Sequence, residues 1–509
     1  MNELDNRRLA KNAILLYGRM LLSIIITLYT SRVVLNTLGI DDFGVYGVVG
    51  GIVSMFSFLN ASMSGATSRF LTFSLGQGDL TKVNKTFSTA LIIHWGIALC
   101  IIVLSETIGL WLLENKLVIP EQRMTAARIV YQFSILSVAI QITQVPYNAS
   151  IISYEKMDAY AYIELLHVLL KLGIVFLLSI GNFDKLILYA GLILVVNIII
   201  AIVYRVYCTN TFKTCKFHWI HDKRLLLPML SFSGWDLYGN MCYSVRQQGI
   251  NMLINVFFGV TLNAASSIAT SVQGVVASLS ANVVQAFRPQ IIKQYAQNNI
   301  RTMETLMCNS IKFSVLLFAM VGVPLSYEIY PIMQLWLGTV PEFAPQFCVL
   351  LLTISLFNTI NRVIVTAIHA TGRIRYLSLI SGTLYLLIIP IVYLLFRYLT
   401  NNPLYAYLTS LIIMITIVIT NTIIARCQIP GLSLRRIISS FISSLLLGLL
   451  ASPSLFVSSI ANNGFFHIIL TFVAYIFSLL VFAYFFAINK EQRNKINNFI
   501  ISKLSVNKA

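Results

Sequence analysis

Runs of apolar residues long enough to cross a bilayer recur along nearly the whole chain, and no other feature restricts its folding so strongly. In hydrocarbon every backbone N–H and C=O must be satisfied internally, so runs of about 20 such residues can only be helices. The composition agrees: 57% of the 509 residues are apolar and 11% charged, where a soluble domain would carry about a quarter charged. The expected fold class is an all-α polytopic membrane protein with about 14 transmembrane helices. The first run, from Asn12 to about Leu38, follows MNELDNRRLAKN without a small-residue cleavage site, which predicts a retained helix rather than a signal peptide.

Within this series one stretch has an echo. From Gly44 to Arg69, small residues fall on one helical seam: Gly47, Gly51, Ser54, Ala61, Gly65 and Ser68, with Phe58 in the remaining place. Steps of four and three keep one helix face narrow, so that another helix can approach closely. About 220 residues later Ser267, Ser271, Gly274, Ser278, Ala281, Gln285 and Arg288 follow the same steps, as duplicated architecture requires. Both copies end in a basic residue. LWL at 110–112 returns at 335–337, and YEKMD at 154–158 has its counterpart in TGRIR at 371–375.

The expected plan is two lobes, each of about six helices and both starting from the same side, a parallel pseudo-repeat that can rock to expose a central cavity alternately. Residues 1–204 form the first lobe, 205–228 a basic linker, 229–426 the second lobe, 427–489 two additional C-terminal helices and 490–509 a basic tail. Gly47, Gly51, Gly65, Ser271, Gly274 and Ala281 are then expected at the lobe interface.

The net charge of +18 could point to nucleic acid, but its distribution argues otherwise. About 25 Lys and Arg fall on loops of one side, about five on the other and about six inside spans, the positive-inside asymmetry. Both termini are therefore expected in the cytoplasm, with no nucleic-acid partner. The seven cysteines are dispersed and form no disulfide framework. Cys208, Cys215, His218 and His221 share one loop, but their spacing fits no common zinc pattern, so no metal site is expected. No Walker loop, glycine-rich nucleotide fingerprint, nucleophile elbow or HExxH occurs, so neither catalytic residues nor a cofactor are expected. Any driving force must come from a gradient or from consumption of the product.

Ionisable side chains inside spans are costly and face protein or a water-filled cavity. Those within spans are mostly cationic: Arg19, Arg32, Lys171, Arg246, Lys312 and Arg362, against Glu106, Glu164, Asp236 and Glu328. A cavity so lined should be net positive and favour an anion such as a diphosphate, which arginine grips through paired hydrogen bonds. At about 100° per residue, Ser23, Thr27 and Thr30 share a face with Arg19, whereas Arg32 lies about 220° away. Snorkelling, or pairing with Asp41 or Asp42, serves Arg32 at least as well as a cavity. The seventh span is the most polar. Asp236, Asn240, Tyr243, Gln247 and Asn251 fall within about 60° of one another, with Arg246 about 80° to the side. Lining a cavity and making interhelical hydrogen bonds both account for that stripe. The isolated His94, His167 and His369 read as packing or interfacial groups. The expected cavity set is Arg19, Lys171, Asp236, Asn240, Arg246, Gln247, Lys312 and Arg362, with Arg32 the weakest member.

The segment SRVVLNTLGIDDFGVYGVV, 31–49, resembles the N-terminal signature of the polysaccharide-flippase branch of the multidrug, oligosaccharidyl-lipid and polysaccharide exporter superfamily. That signature has an Arg near the outer end of the first span, then LG, an acidic residue and aromatic-Gly pairs. The resemblance implies a flippase that moves undecaprenyl-diphosphate-linked oligosaccharide across the bacterial inner membrane for O-antigen or other surface polysaccharide. In that role Arg19, Arg246, Lys171, Lys312 and Arg362 would hold diphosphate or acidic sugar. It also implies membrane lipids, polysaccharide polymerase machinery as partners, and proton or sodium coupling. Two alternatives stay open: a peptidoglycan lipid-precursor flippase, and a cation-coupled multidrug antiporter, which would need carboxylates deep in the lobes. A membrane glycosyltransferase or polymerase would be expected to carry catalytic carboxylates or a large outer loop, and the outer loops here are short.

Overall fold

The computed structural model describes residues 57–115, 121–178, 184–219, 222–338, 340–460 and 465–487, with scattered positions between 18 and 49. Among the described residues, 11 helices are long and apolar enough to cross a membrane. The other expected spans are readily located. The first lies almost wholly outside the described residues, the second is described only from Ser57, and the seventh is the polar helix, whose side chains lower its hydropathy.

In chain order the helices are α1 (Ser57–Gly76), α2 (Leu80–Leu104), α3 (Leu110–Asn115), α4 (Met124–Ser153), α5 (Met157–Leu177), α6 (Lys185–Thr211) and α7 (Lys223–Ala296). They continue with α8 (Ile300–Tyr327), α9 (Ile329–Leu337), α10 (Ala344–Thr371), α11 (Arg375–Leu394), α12 (Leu404–Gln428), α13 (Leu434–Ala451) and α14 (Phe465–Phe482). At about 1.5 Å per residue an unbroken α7 would be several times longer than a bilayer core is thick. It breaks at Gly259, whose φ of 84° and ψ of −177° belong to a region essentially reserved for glycine. The break divides α7 into two spans.

Two compact units emerge from the packing. Unit 1 comprises residues 1–241, 288–300 and 369–382; unit 2 comprises 242–287, 301–368 and 383–509. In unit 1, α4 lies against α1, α2 and α6, around a core that includes Phe87, Tyr131, Tyr147 and Tyr204. The buried Tyr131 hydroxyl donates to the Ser105 carbonyl at 2.7 Å. Arg123 joins two acidic turns, pairing with Asp42 and, at 2.6 Å, with Asp184. Asp79 N-caps α2, and the Thr81 hydroxyl and Lys82 N–H bonding to it hold its carboxyl below the usual range. The segment after α6 is pinned by Asn84, whose Nδ2 donates to the carbonyls of Thr214 (2.8 Å) and Lys216 (2.7 Å). Cys208 and Cys215 are buried free thiols, and among the described residues no three potential metal ligands cluster; His221 lies outside them.

The internal echo also appears in the backbone. After α1 the chain turns through Gly78 at φ 77°, and after α7 through Asn298 at φ 57°. After α4 it turns through Glu155 at φ 58°, and after α10 through Gly372 at φ 77°. Each pair lies about 220 residues apart, the spacing of the repeat. Two helices separated by that spacing also meet: a Cβ on Gly76 of α1 would lie 2.8 Å from the Ala296 Cβ and 3.0 Å from the Lys293 carbonyl oxygen of α7.

In unit 2 the last two helices join the core. Ala319 of α8 packs with Leu447, Ala451, Leu455, Tyr475 and Leu479, and the Tyr475 hydroxyl donates to the Gly448 carbonyl at 3.0 Å. Two buried carboxylates fasten this pair of helices. Glu304 accepts from the Ser433 N–H (3.0 Å) and Arg436 Nη1 (3.2 Å). Glu328, 2% exposed, accepts from the Thr471 hydroxyl at 2.7 Å and lies 3.4 Å from His467 Nδ1.

Candidate functional site

In unit 2 the strongest candidate is built around Arg246. Its side chain is 6% exposed and lies beside two aromatic rings, with Cζ 4.8 Å from the Tyr243 ring centroid and 5.5 Å from that of Tyr385. The two rings meet edge to face at 5.4 Å. Nη2 donates to Gln247 Oε1 at 2.7 Å, Nε has no hydrogen-bond partner, and no carboxylate pairs with the guanidinium among the described residues. A desolvated cation–π contact contributes on the order of 2 kcal/mol, but it supplies no hydrogen-bond acceptor for the N–H groups. Tyr385 also feels the charge of Arg362, which is half-buried on α10. Nearby, the Ser266 hydroxyl donates to Asn251 Oδ1 at 3.1 Å and lies 2.6 Å from the Tyr407 hydroxyl; Tyr407 is again within electrostatic reach of Arg246.

Unit 1 holds a second buried polar group. Arg69, also 6% exposed, donates from Nε to the His369 carbonyl (3.0 Å) and from Nη2 to the Ala370 carbonyl (2.9 Å). These are last-turn carbonyls of α10, which a cation satisfies well. Arg288 donates from Nη2 to the Gly65 carbonyl at 3.4 Å and is drawn to Asp236; Asp236 also lies 3.6 Å from His369 Nε2. Gly65 fits tightly here, because a Cβ on it would lie 3.4 Å from Arg288 and 3.5 Å from Asp236. On the same unit Gln290 Nε2 donates to Glu155 Oε2 at 3.4 Å, and Lys293 Nζ lies 3.8 Å from Glu155 Oε1.

The residues singled out from sequence therefore separate. Arg246, Gln247 and Arg362 share the unit 2 constellation. Asp236 belongs to the unit 1 group, and the exposed Asn240 bonds back to the Asp236 carbonyl at 2.9 Å. Lys171 is half-buried on α5, attracted by Glu164 two turns earlier, and Glu164 accepts from the Tyr204 hydroxyl at 2.9 Å. Lys312 is half-buried on α8 and pairs with no carboxylate among the described residues. Of the seam residues, Gly65 is closely packed and Ala281 half-buried, while Ser271 and Gly274 are exposed. Among the described residues, nothing lies within 4 Å of a Cβ position on Gly274. Arg19, Arg32, Gly47 and Gly51 lie outside the described residues. Sequence reasoning passed over Tyr385 and Tyr407, which carry no signal before α11 and α12 are placed. Arg69 and Arg288 did carry one, as matching ends of the repeated seam.

Comparison with solved structures places this architecture. A MATE transporter in its bent conformation matches with a TM-score of 0.71 at 12% identity, over 87% of this chain and 97% of its own. The chain has the MATE transporter fold. An outward-facing multidrug resistance MATE family transporter of the MOP superfamily matches with a TM-score of 0.69 at 13% identity, over 84% of this chain and 97% of its own. A MOP superfamily transporter from Pyrococcus furiosus, described by the reverse polarity of its binding pocket, matches with a TM-score of 0.63 at 14% identity, over 83% and 96%. No family model matches the sequence, nor does any curated protein. At such identities the comparisons show the fold alone, so ligand chemistry must be argued from this chain's own residues.

Proposed function

We propose that this chain is a transporter that works by alternating access on the MATE fold, and that its Arg246 site receives an anionic group. The observation that carries this reading is the Arg246 guanidinium itself, buried beside Tyr243 and Tyr385 with no partner for its Nε among the described residues. A buried, unpaired charge is costly, and an anion that accepts two parallel hydrogen bonds removes that cost. Arg362 adds positive potential nearby. A diphosphate fits this chemistry, and with the N-terminal resemblance the proposed substrate is an undecaprenyl-diphosphate-linked oligosaccharide flipped across a bacterial inner membrane. The charge asymmetry of the loops supports cytoplasmic termini, and polymerase machinery would act downstream. In this reading the lobes would rock along the paired seams. A peptidoglycan lipid-precursor flippase would share these features and differ only in the sugar.

A second reading is a cation-coupled multidrug antiporter, and the comparisons favour it over the flippase, since a multidrug resistance MATE transporter shares the fold. It would need interior carboxylates to exchange protons or sodium; Asp236 beside His369 and Glu328 beside His467 are the described candidates. Against it stands the sign of the charge at Arg246. That a pocket of reversed polarity occurs in a MOP superfamily transporter supports reading polarity chain by chain.

The test is binding by the purified full chain. Undecaprenyl diphosphate should bind saturably, and Arg246→Ala should weaken it by at least roughly tenfold, the effect of losing one charge-assisted hydrogen bond. Equal binding by the variant, or tighter binding of a lipophilic cation such as tetraphenylphosphonium, would defeat the site assignment.

A further inference from the structure

A cleft in unit 1 carries a second concentration of arginine that the Arg246 site does not include. Its volume is about 460 Å³, within the range of roughly 300–1,000 Å³ that ligand pockets occupy. Three guanidinium groups line it. Arg69 comes from α1, and Arg373 and Arg375 come from the turn that joins α10 to α11; Ser231, Phe232 and Trp235 of α7 form much of the facing wall. No carboxylate is among its lining residues.

Each side of the cleft is fixed before any ligand arrives. Arg69 is anchored through Nε and Nη2 to the end of α10, and its Cζ lies 4.6 Å and 4.7 Å from the ring centroids of Phe70 and Phe73. Those bonds leave Nη1 to the cleft. Gly372 makes this placement possible, because a Cβ there would lie 2.6 Å from Arg69 Nη2. Arg375 lies over Trp235, with Cζ 5.4 Å from the ring centroid, a contact that restricts where its guanidinium can sit. Arg373 is exposed at the rim. Guanidinium groups converging from two chain segments suit an acceptor with three or more oxygens around one centre. A phosphoryl group offers that, whereas a carboxylate offers two oxygens in one plane.

We propose that this cleft is a binding site for a phosphoryl group, separate from the Arg246 site. By the charge asymmetry of the loops it opens on the cytoplasmic side, where the group can belong to the headgroup of an anionic phospholipid or to a soluble phosphate. The proposal does not depend on the flippase reading, because none of its three arginines belongs to the Arg246 constellation.

The experiment uses the purified full chain and the double variant Arg373→Gln/Arg375→Gln, in which both substitutions are at exposed positions. One arm titrates inorganic pyrophosphate at constant ionic strength against chloride and follows tryptophan fluorescence, with Trp235→Phe identifying the reporter. The other measures retention of phosphatidylglycerol against phosphatidylcholine by native mass spectrometry. Saturable pyrophosphate binding weakened roughly tenfold or more in the variant supports the site and assigns it a soluble phosphate. Selective phosphatidylglycerol retention lost in the variant supports the site and assigns it a lipid. If neither probe is distinguished from its control, or if the variant binds as the parent does, the proposal is overturned. Loss of undecaprenyl diphosphate binding in Arg246→Ala with both arms unchanged would show that the two sites are independent.

Discussion

Replacing Gly372 by alanine should disrupt unit 1 far more than a single methyl normally would. Two costs arise at this position. A side chain in the left-handed backbone region costs about 1–2 kcal/mol, and the residue sits at φ 77°. That cost alone is bearable here, because the matching turn in the first half holds Glu155 at φ 58°. What distinguishes Gly372 is its neighbour. The new Cβ would lie 2.6 Å from Arg69 Nη2 and 3.0 Å from its Cζ, so the guanidinium must move and one or both of its bonds to the His369 and Ala370 carbonyls must break. A hydrogen bond to a charged group contributes about 1.5–3 kcal/mol. Strain plus one lost bond therefore gives about 2.5–5 kcal/mol, at least roughly fiftyfold in an equilibrium constant.

The assay is equilibrium unfolding of the full chain in mixed micelles, measured for Gly372→Ala, Arg69→Ala and the pair. If Arg69 transmits the damage, Gly372→Ala in the Arg69→Ala background should cost only the backbone strain, and the cycle should show a coupling of about 2 kcal/mol. Equal costs in both backgrounds would refute the reasoning.

Three further outcomes follow from the packing. Arg246→Lys keeps the charge but loses the planar group beside Tyr243 and Tyr385, so substrate binding should fall roughly tenfold rather than recover; parent-like affinity would mean that charge alone matters. Glu328→Ala strands the Thr471 hydroxyl and His467 and should destabilise the chain by about 3 kcal/mol. Glu328→Gln, which keeps an acceptor, should cost less, and protease sensitivity between α13 and α14 reports both. Gly76→Ala must push apart backbone and Cβ atoms of α7 and should cost about 1–3 kcal/mol in the same unfolding assay; an unchanged midpoint would show that the two helix ends can separate freely.

Periodicity and length located the spans well, because a bilayer admits one solution for a long apolar run. The repeat was legible too, since Arg69 and Arg288 end the paired seams and the turns after those helices share left-handed residues at Gly78 and Asn298. The site was legible only in part. A helical wheel treats a helix as having one environment along its length, yet Asp236 and Asn240 of α7 belong to one compact unit, while Tyr243, Arg246, Gln247 and Asn251 belong to another. The polar stripe consequently divides, and Arg246, about 80° off its centre, is the deeply buried member. Of the two rings beside it, Tyr243 is a neighbour in sequence, whereas Tyr385 is more than a hundred positions away and only tertiary packing reveals it. The seam predicted close packing at both copies; Gly65 is closely packed, while no described residue lies within 4 Å of a Cβ position on Gly274.

The central claim concerns the sign of the charge that crosses the membrane. It is tested most directly by reconstituting the purified chain in proteoliposomes and measuring translocation of a fluorescent polyprenyl-diphosphate-linked saccharide beside that of a lipophilic cation, with Arg246→Ala as the control. The expected result is movement of the diphosphate-linked saccharide, lost in the variant, and no movement of the cation. Transport of the cation against a proton or sodium gradient, unaffected by Arg246→Ala, would contradict it and establish the antiporter reading instead.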